Sequence, residues 1–167
     1  MLRPCAGSVC SNGGIGAPAD EGKARAWYER AAAAGDAVAM HLIGALYENG
    51  RSVPKDAARA RDWYERAAAA ADAAAMREIG VLYETAGGLP QDLSKAGEWY
   101  EKAGTAGDAV AMRNLARLYV TLPKQATKKD SPKEDTAKSL EWYQKAASAG
   151  NEAAIGWLYE NSRGKRA

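Results

Sequence analysis

Residues 27–40 read WYERAAAAGDAVAM. The same phrase returns as WYERAAAAADAAAM at 63–76, as WYEKAGTAGDAVAM at 99–112 and as WYQKAASAGNEAAI from 142. Trp27, Trp63 and Trp99 are spaced by 36 residues, and Trp142 follows after 43. Self-similarity at a fixed period of about 20–50 residues marks a stacked array, in which each unit buries its apolar face on the next. The expected class is all-α: an α/α solenoid of about four helix-turn-helix repeats, with about eight helices.

Each unit reads as two helices, A and B. Asp20, Asp56, Asp92 and Asp135 stand seven residues before each Trp and are expected to cap the A helices, since a carboxylate accepts from the free N–H groups of a first turn. Gly35 is expected to end the first A helix in the left-handed conformation, near Ala34. Asp36 then caps helix B, which is read to about Glu48 and is stopped by Asn49-Gly50 ahead of Pro54. Ala71 stands where Gly35, Gly107 and Gly150 stand. If that place needs a positive φ, Ala71 carries strain of about 1 kcal/mol. Helix B carries Ala39, Ile43, Gly44, Leu46 and Tyr47 on one apolar face, with Ala75, Ile79, Gly80, Leu82 and Tyr83 matching them in the second unit. A mid-helix glycine costs about 1 kcal/mol against alanine. The recurrence of Gly44, Gly80 and Gly156 therefore predicts a neighbouring Trp or Tyr lying against the backbone.

These signals divide the chain into an arm or incomplete repeat at 1–19, repeat 1 at 20–55, repeat 2 at 56–91, repeat 3 at 92–134 and a shortened repeat 4 with tail at 135–167. Residues 122–134 read as an inserted Lys-rich surface loop with two prolines. From Asn151 the last unit is three residues short of the others, so its final helix is expected to be a turn short or rearranged.

Composition narrows the function. Apolar residues make up 47% of the chain, with no Phe, and alanine supplies much of that share. Such a core suits helices packed at close range with aromatics in the seams. A net charge of +2 is too mild to imply nucleic acid. No stretch reaches the length of a membrane span, and the first residues lack a signal-peptide core, so the chain as written reads as cytoplasmic. If it is a piece of a longer protein, a periplasmic or secreted setting stays open. Cys5 and Cys10 lie in the front arm, as reduced thiols or as a local disulfide, and are weak evidence for a metal. The single histidine, His41, has no partner at metal-site spacing and no nucleophile motif beside it. NGGIG at 12–16 and AGG at 86–88 lack the Lys-Ser/Thr of a phosphate loop and read as turns. No catalytic residue, metal or cofactor is expected.

The pattern resembles the Sel-1-like repeat, a relative of the tetratricopeptide repeat. That family runs A-x-x-W-Y-x-[KR]-A-A-x-x-G, then A-x-x-x-L-G-x-[LM]-Y-x-x-G. The first unit matches at Ala24, Trp27, Tyr28, Arg30, Ala31, Ala32, Gly35, Ala39, Ile43, Gly44, Leu46, Tyr47 and Gly50, and the later units match comparably over residues 20–162. The resemblance implies a right-handed superhelical adaptor, of bacterial type, that binds proteins or peptides. It carries no shared catalytic residues. Some disulfide-rich members are associated with penicillin-binding or β-lactamase activity, but this chain lacks their cysteines. The implied function is a non-catalytic interaction scaffold. The alternatives are that enzyme-like activity, or end-to-end assembly by self-association through the terminal repeats.

Stacking turns repeat positions into ladders. The framework residues are Trp27, Tyr28, Gly44, Tyr47, Trp63, Tyr64, Gly80, Tyr83, Trp99, Tyr100, Tyr119, Trp142, Tyr143 and Tyr159, and the Trp in particular are expected in the core. Lys23, Arg59, Lys95 and Lys138 form one basic row on the A helices. Arg30, Arg66, Lys102 and Lys145 form a second. Asp62, Glu98 and Glu141 lie between them and are expected to pair with these cations at i, i+3 and i, i+4. Ala26 leaves Lys23 and Arg30 without such an acid, which makes that patch a candidate for recruiting an acidic partner. On helix B, His41, Arg77 and Arg113 align at a variable position. Trp157 aligns in the sequence with Ala45, Val81 and Arg117, and is read as a cover for the end of the stack or a contact for another molecule.

Overall fold

The computed structural model describes residues 18–88, 90–121 and 132–163. Eight helices follow one another in antiparallel pairs among the described residues, with no strand: α1 (Pro18–Ala33), α2 (Ala37–Asn49), α3 (Ala57–Ala69), α4 (Ala73–Thr85), α5 (Leu93–Thr105), α6 (Ala109–Thr121), α7 (Pro132–Ser148) and α8 (Glu152–Arg163). Cys5 and Cys10, most of the expected arm and most of the expected loop lie outside the described residues.

Local chemistry sets most helix ends. Asp56 and Asp92 cap α3 and α5, accepting from Arg59 N and Lys95 N at 3.0 Å each. Asp36, Asp72, Asp108 and Asn151 do the same for α2, α4, α6 and α8. Asp20 and Asp135 are different. Helices α1 and α7 begin earlier, at Pro18 and Pro132, so both aspartates lie inside the first turn. Proline suits a first helical position because its φ is already helical and its missing N–H has no partner to lose. The A helices end in the expected left-handed residue: Gly35, Gly107 and Gly150 have φ of 91°, 98° and 83°, and Ala71 follows them at 65°. Ala71 thus bears the strain that its glycine counterparts avoid.

Each B helix packs most extensively on the A helix that follows it. At these joints a tyrosine enters a glycine seat. A Cβ on Gly44 would meet the Tyr64 ring at 2.6 Å, and one on Gly80 would meet Tyr100 at 2.6 Å. Tyr64 and Tyr100 are 1% and 0% exposed. Their hydroxyls donate to Glu48 Oε2 and Glu84 Oε2, both at 2.6 Å. The expectation of an aromatic against the glycine backbone holds here, and the aromatic is the Tyr of each WY pair. The alanines of α3 to α6, among them Ala60, Ala67, Ala96 and Ala103, are buried around these rings and let the helix axes approach.

Burial, with the Glu48 and Glu84 carboxylates beside them, raises the pKa of both tyrosines well above the ordinary phenol range. The folded state therefore keeps them neutral at a pH where the unfolded chain ionises them. Their contribution is complete below about pH 10 and falls as pH rises beyond it. We expect the melting temperature to drop above pH 10, and the drop to be smaller in Tyr64→Phe/Tyr100→Phe, as followed by circular dichroism. Parallel curves for the two proteins would assign the alkaline loss to other groups.

The tryptophans depart from expectation. Trp142 is buried at 8% exposure, Trp63 and Trp99 are only partly buried, and Trp27 is 66% exposed. In the WY pair the tyrosine points into the joint, which leaves the preceding tryptophan about 100° round the helix at its edge. Trp142 is covered because it meets Gly104, where an added Cβ would lie 3.1 Å from its ring.

The last helix resolves the question of the three missing residues. Asn151 Oδ1 accepts from Ala154 N at 3.0 Å, as Asp36 accepts from Ala39. Ala154 is buried like Ala39, Ala75 and Ala111. Register in α8 is therefore counted from the cap. Leu158 takes the place of Ile43 and Ile79, Tyr159 that of Gly44 and Gly80, and Gly156 that of His41 and Arg77. Gly156 is exposed, with no atom within 4 Å of where a Cβ would stand. The packing role expected for it is not there, because deleting three residues turned and shifted the Gly-x-x-Tyr-Glu pattern along the helix. The helix itself is not a turn short, since it continues through Asn161, Ser162 and Arg163.

Candidate interaction surface

Five residues after the caps of α2 and α4 the side chain reaches toward the next repeat. His41 Nδ1 lies 3.3 Å from Asp72 Oδ2, and the ring meets Tyr64 edge-on at 5.4 Å. Arg77 Nη1 donates to Asp108 Oδ2 at 3.3 Å, while its Nη2 donates to Glu78 Oε1 at 2.5 Å. Burial opposes the Arg77 charge, but Glu78 and Asp108 outweigh it and raise its pKa. In both rungs one carboxylate does two jobs: Oδ1 caps a helix and Oδ2 holds the cation of the previous repeat.

The third rung differs at one atom. The capping residue is Asn151, whose Oδ1 accepts from Ala154 N and whose Nδ2 donates to Ala109 O at 3.3 Å. An amide donor thus stands where Asp72 and Asp108 offer an acceptor. Arg113 turns instead to Asn114, donating from Nη2 to Oδ1 at 3.2 Å. Glu152 makes no ion pair with Arg113 among the described residues. The aspartate-to-asparagine change was visible in the repeat alignment, but its consequence depends on a partner 38 residues away in sequence.

Trp157 stacks on Tyr143, with centroids 3.9 Å apart and planes 10° from parallel. Counted from the cap, its equivalents are Leu42, Glu78 and Asn114 and not Ala45, Val81 and Arg117. This stack replaces the inner joint. Ala116 stands where Gly44 and Gly80 stand, and Val120 where Glu48 and Glu84 stand, so Tyr143 has neither seat nor acceptor on α6. Trp157 packs, partly buried, against the buried cluster of α5 to α8.

Both basic rows lie on aromatic rings, and Arg59 and Lys95 also pair with the cap aspartates Asp56 and Asp92 at 3.3 and 3.4 Å. Arg30, Arg66, Lys102 and Lys145 sit over Trp27, Trp63, Trp99 and Trp142 at 5.2, 4.8, 4.3 and 4.3 Å. Arg59, Lys95 and Lys138 sit over Tyr47, Tyr83 and Tyr119 of the preceding unit, at 5.6, 5.4 and 5.9 Å. Of the expected acid pairs, Glu141–Lys145 forms at 2.7 Å. Asp62 pairs with Arg61 instead, and Glu98 forms no ion pair with Lys102 among the described residues. An i, i+3 cation already rests on the tryptophan face, where a partly desolvated π contact is worth about 0.5–1 kcal/mol, comparable to an exposed ion pair. Arg59, Asp62, Trp63 and Arg66 line a shallow depression of about 270 Å³ on α3. In the first unit Arg30 rests on the exposed Trp27, and Lys23 and Arg30 have no acid partner among the described residues.

A model of the Sel1 repeat matches residues 6–36, 37–72, 73–108 and 109–151. The chain belongs to the Sel1 repeat family. The second to fourth matches each take a B helix with the following A helix, which is the pairing with the most extensive packing. Among solved structures the Sel1 repeat protein from Oxalobacter formigenes is similar, at 29% identity and a TM-score of 0.70, over 81% of this chain and 53% of that one. A second is c5321, described as a protective antigen present in uropathogenic Escherichia coli strains displaying an SLR fold. It aligns at 24% identity and a TM-score of 0.69, over 84% of this chain and 30% of that one, and shows the fold alone. This chain thus spans about half of the first structure and under a third of the second. No curated protein matched it. Sel1 repeats are generally non-catalytic scaffolds for protein–protein interaction. No described helix is long and apolar enough to cross a membrane.

Proposed function

We propose that this chain is a non-catalytic scaffold, of bacterial type, that binds a protein or peptide on the surface of its solenoid. The observation that carries the reading is variation inside a constant frame. The caps, alanines and joint tyrosines repeat, while the positions five and six after each cap change from His41-Leu42 to Arg77-Glu78, Arg113-Asn114 and Gly156-Trp157. A frame that holds such positions at regular intervals presents a patterned strip, open at all of them but the buried Asn114, to one extended partner. The enzymatic alternative draws no support from His41, whose contact with Asp72 is one rung of a ladder that Arg77–Asp108 repeats. End-to-end assembly needs a joint of another kind, since α8 presents Tyr159 where α2 and α4 present Gly44 and Gly80.

Affinity capture from source cells, with bait variants quantified side by side, tests the reading. Charge reversal at Lys23 and Arg30 is expected to reduce partner recovery more than reversal at Lys95 and Lys102, which are engaged by Asp92, Tyr83 and Trp99. Equal losses would remove the first-unit patch from the interface. No specific protein retained by the wild-type bait would argue against a scaffold.

A further inference from the structure

We infer that the outer face of α8 is a self-complementary contact through which two copies of this chain pair tail to tail. The inference goes beyond the scaffold reading and does not depend on it. Helix α8 has two faces. Ala154, Trp157 and Leu158 turn inward onto the buried cluster of α5 to α8. Glu152, Ile155, Gly156 and Tyr159 recur at i, i+3, i+4 and i+7 on the opposite side, and all four are exposed. Two of them are large and apolar: Ile155 is 49% exposed and Tyr159 61%. Counted from the cap, Ile155 stands where Met40, Met76 and Met112 stand, and Tyr159 where Gly44, Gly80 and Ala116 stand. In the inner B helices those methionines pack against the buried clusters, and the two glycines seat the tyrosine of the following A helix. The outer face of α8 therefore continues the surface that joins one repeat to the next.

What fits that face is decided by where its glycine and its tyrosine stand. A further A helix, docked as α3 and α5 are, would bring a tyrosine to the place that Tyr159 itself fills. The bare position is Gly156, one turn back, where no atom lies within 4 Å of an added Cβ. No contact within the chain needs this glycine, which leaves it open to a second molecule. Gly156 and Tyr159 lie side by side on the helix. Helix α8 thus carries both halves of the chain's own joint, a seat and a ring. Two α8 helices laid antiparallel, with the two-fold axis passing between Trp157 and Leu158, set Tyr159 of each on Gly156 of the partner subunit. A two-fold contact is isologous, so both halves must come from one patch, and here they do. Charge agrees: the stripe starts at Glu152 in the first turn and α8 ends at residue 163, an arginine in the sequence, so antiparallel copies bring acid to base at both ends. One helical stripe falls short of the roughly 800 Å² per partner of a stable complex, so the dimer forms and dissociates with concentration. Each dimer carries the variable strip twice.

Light scattering over a concentration series, with reductant present, tests the pairing. The mass is expected to rise from the 17.7 kDa of one chain towards twice that value. In a concentrated half-labelled mixture, a magnetisation-transfer cross-peak is expected between the Tyr159 ring protons of labelled copies and the Gly156 α-protons of unlabelled ones. Gly156→Gln blocks the seat and Tyr159→Gln removes the ring. Each is expected to weaken association about tenfold or more, with helicity by circular dichroism preserved. Dissociated Gly156→Gln chains are expected to melt no lower than wild type, since the new side chain meets nothing within the chain. Val38→Gln, at an apolar site 64% exposed at the other end of the stack, is expected to leave association unchanged. A mass that stays at one chain at every concentration overturns the inference, as does a dimer whose affinity survives either α8 substitution. A monomer that still retains its partner from cells would leave the scaffold reading standing while this contact falls.

Discussion

Tyr100→Ala is expected to destabilise the protein by about 3–5 kcal/mol, the range for truncating a deeply buried aromatic, whereas Trp27→Ala is expected to stay within about 0.5 kcal/mol of wild type. Tyr100 has no exposed surface, fills the seat at Gly80 and donates to Glu84. Its loss leaves a cavity and withdraws a donor from a carboxylate that Arg117 also holds. Trp27 is mostly in solvent, with Arg30 over its ring. In a stacked array, stability is close to a sum of unit and nearest-neighbour terms. The damage should therefore appear first at the α4–α5 joint, with urea unfolding losing cooperativity and amide exchange rising in α5 before α2. A Tyr100→Ala protein that unfolds with the wild-type midpoint would show that the joint does not depend on the tyrosine.

Gly44→Ala and Gly156→Ala should change stability in opposite directions. At Gly44 the new methyl would stand 2.6 Å from the Tyr64 ring, which is itself held by Glu48 and cannot retreat without breaking that bond. Overpacking of this kind costs about 1–3 kcal/mol, and the helical preference of alanine recovers only about 1 kcal/mol of it. At Gly156 the methyl meets nothing, so the helical preference acts alone and the variant should gain up to about 1 kcal/mol. Thermal melts of the two single variants measure the difference. A stabilised Gly44→Ala would mean that the ring shifts freely. A destabilised Gly156→Ala would mean that α8 is in register with the inner B helices after all.

The third joint shows where reading the repeat stops. The changes from Gly to Ala at position 116 and from Glu to Val at position 120 are plain in the sequence. That they send Tyr143 against Trp157 is not, because the outcome depends on α8 having slipped by three residues relative to its own pattern. The pattern match aligned Trp157 with Ala45, Val81 and Arg117; the cap aligned it with Leu42, Glu78 and Asn114. The cap governs because its hydrogen bond and the buried Ala154 fix where the helix starts on α7, whereas a glycine with no neighbour exerts no force on register. The basic rows behave similarly. Their spacing was legible, but an i, i+3 cation settles on an acid or a ring by what lies beside it: Arg66 and Lys102 rest on the tryptophan face, while Lys145 meets both Trp142 and Glu141.

The amino-acid sequence by itself determined the repeat, the helix pairs, the aspartate caps of α2 to α6 and the left-handed turn at Ala71. Each of these is settled by groups within a few residues of one another along the chain, so a short window contains all the forces involved. Tertiary structure alone decided which member of each WY pair is buried, why Gly44 and Gly80 must be glycine while Gly156 need not be, and which rung of the His41, Arg77 and Arg113 ladder lacks a carboxylate. Those outcomes turn on one helix meeting another, at distances that depend on the packed register of both. Arg113 and Asn151 are ordinary residues in the sequence; they form an unfinished rung only because stacking brings α6 and the start of α8 together.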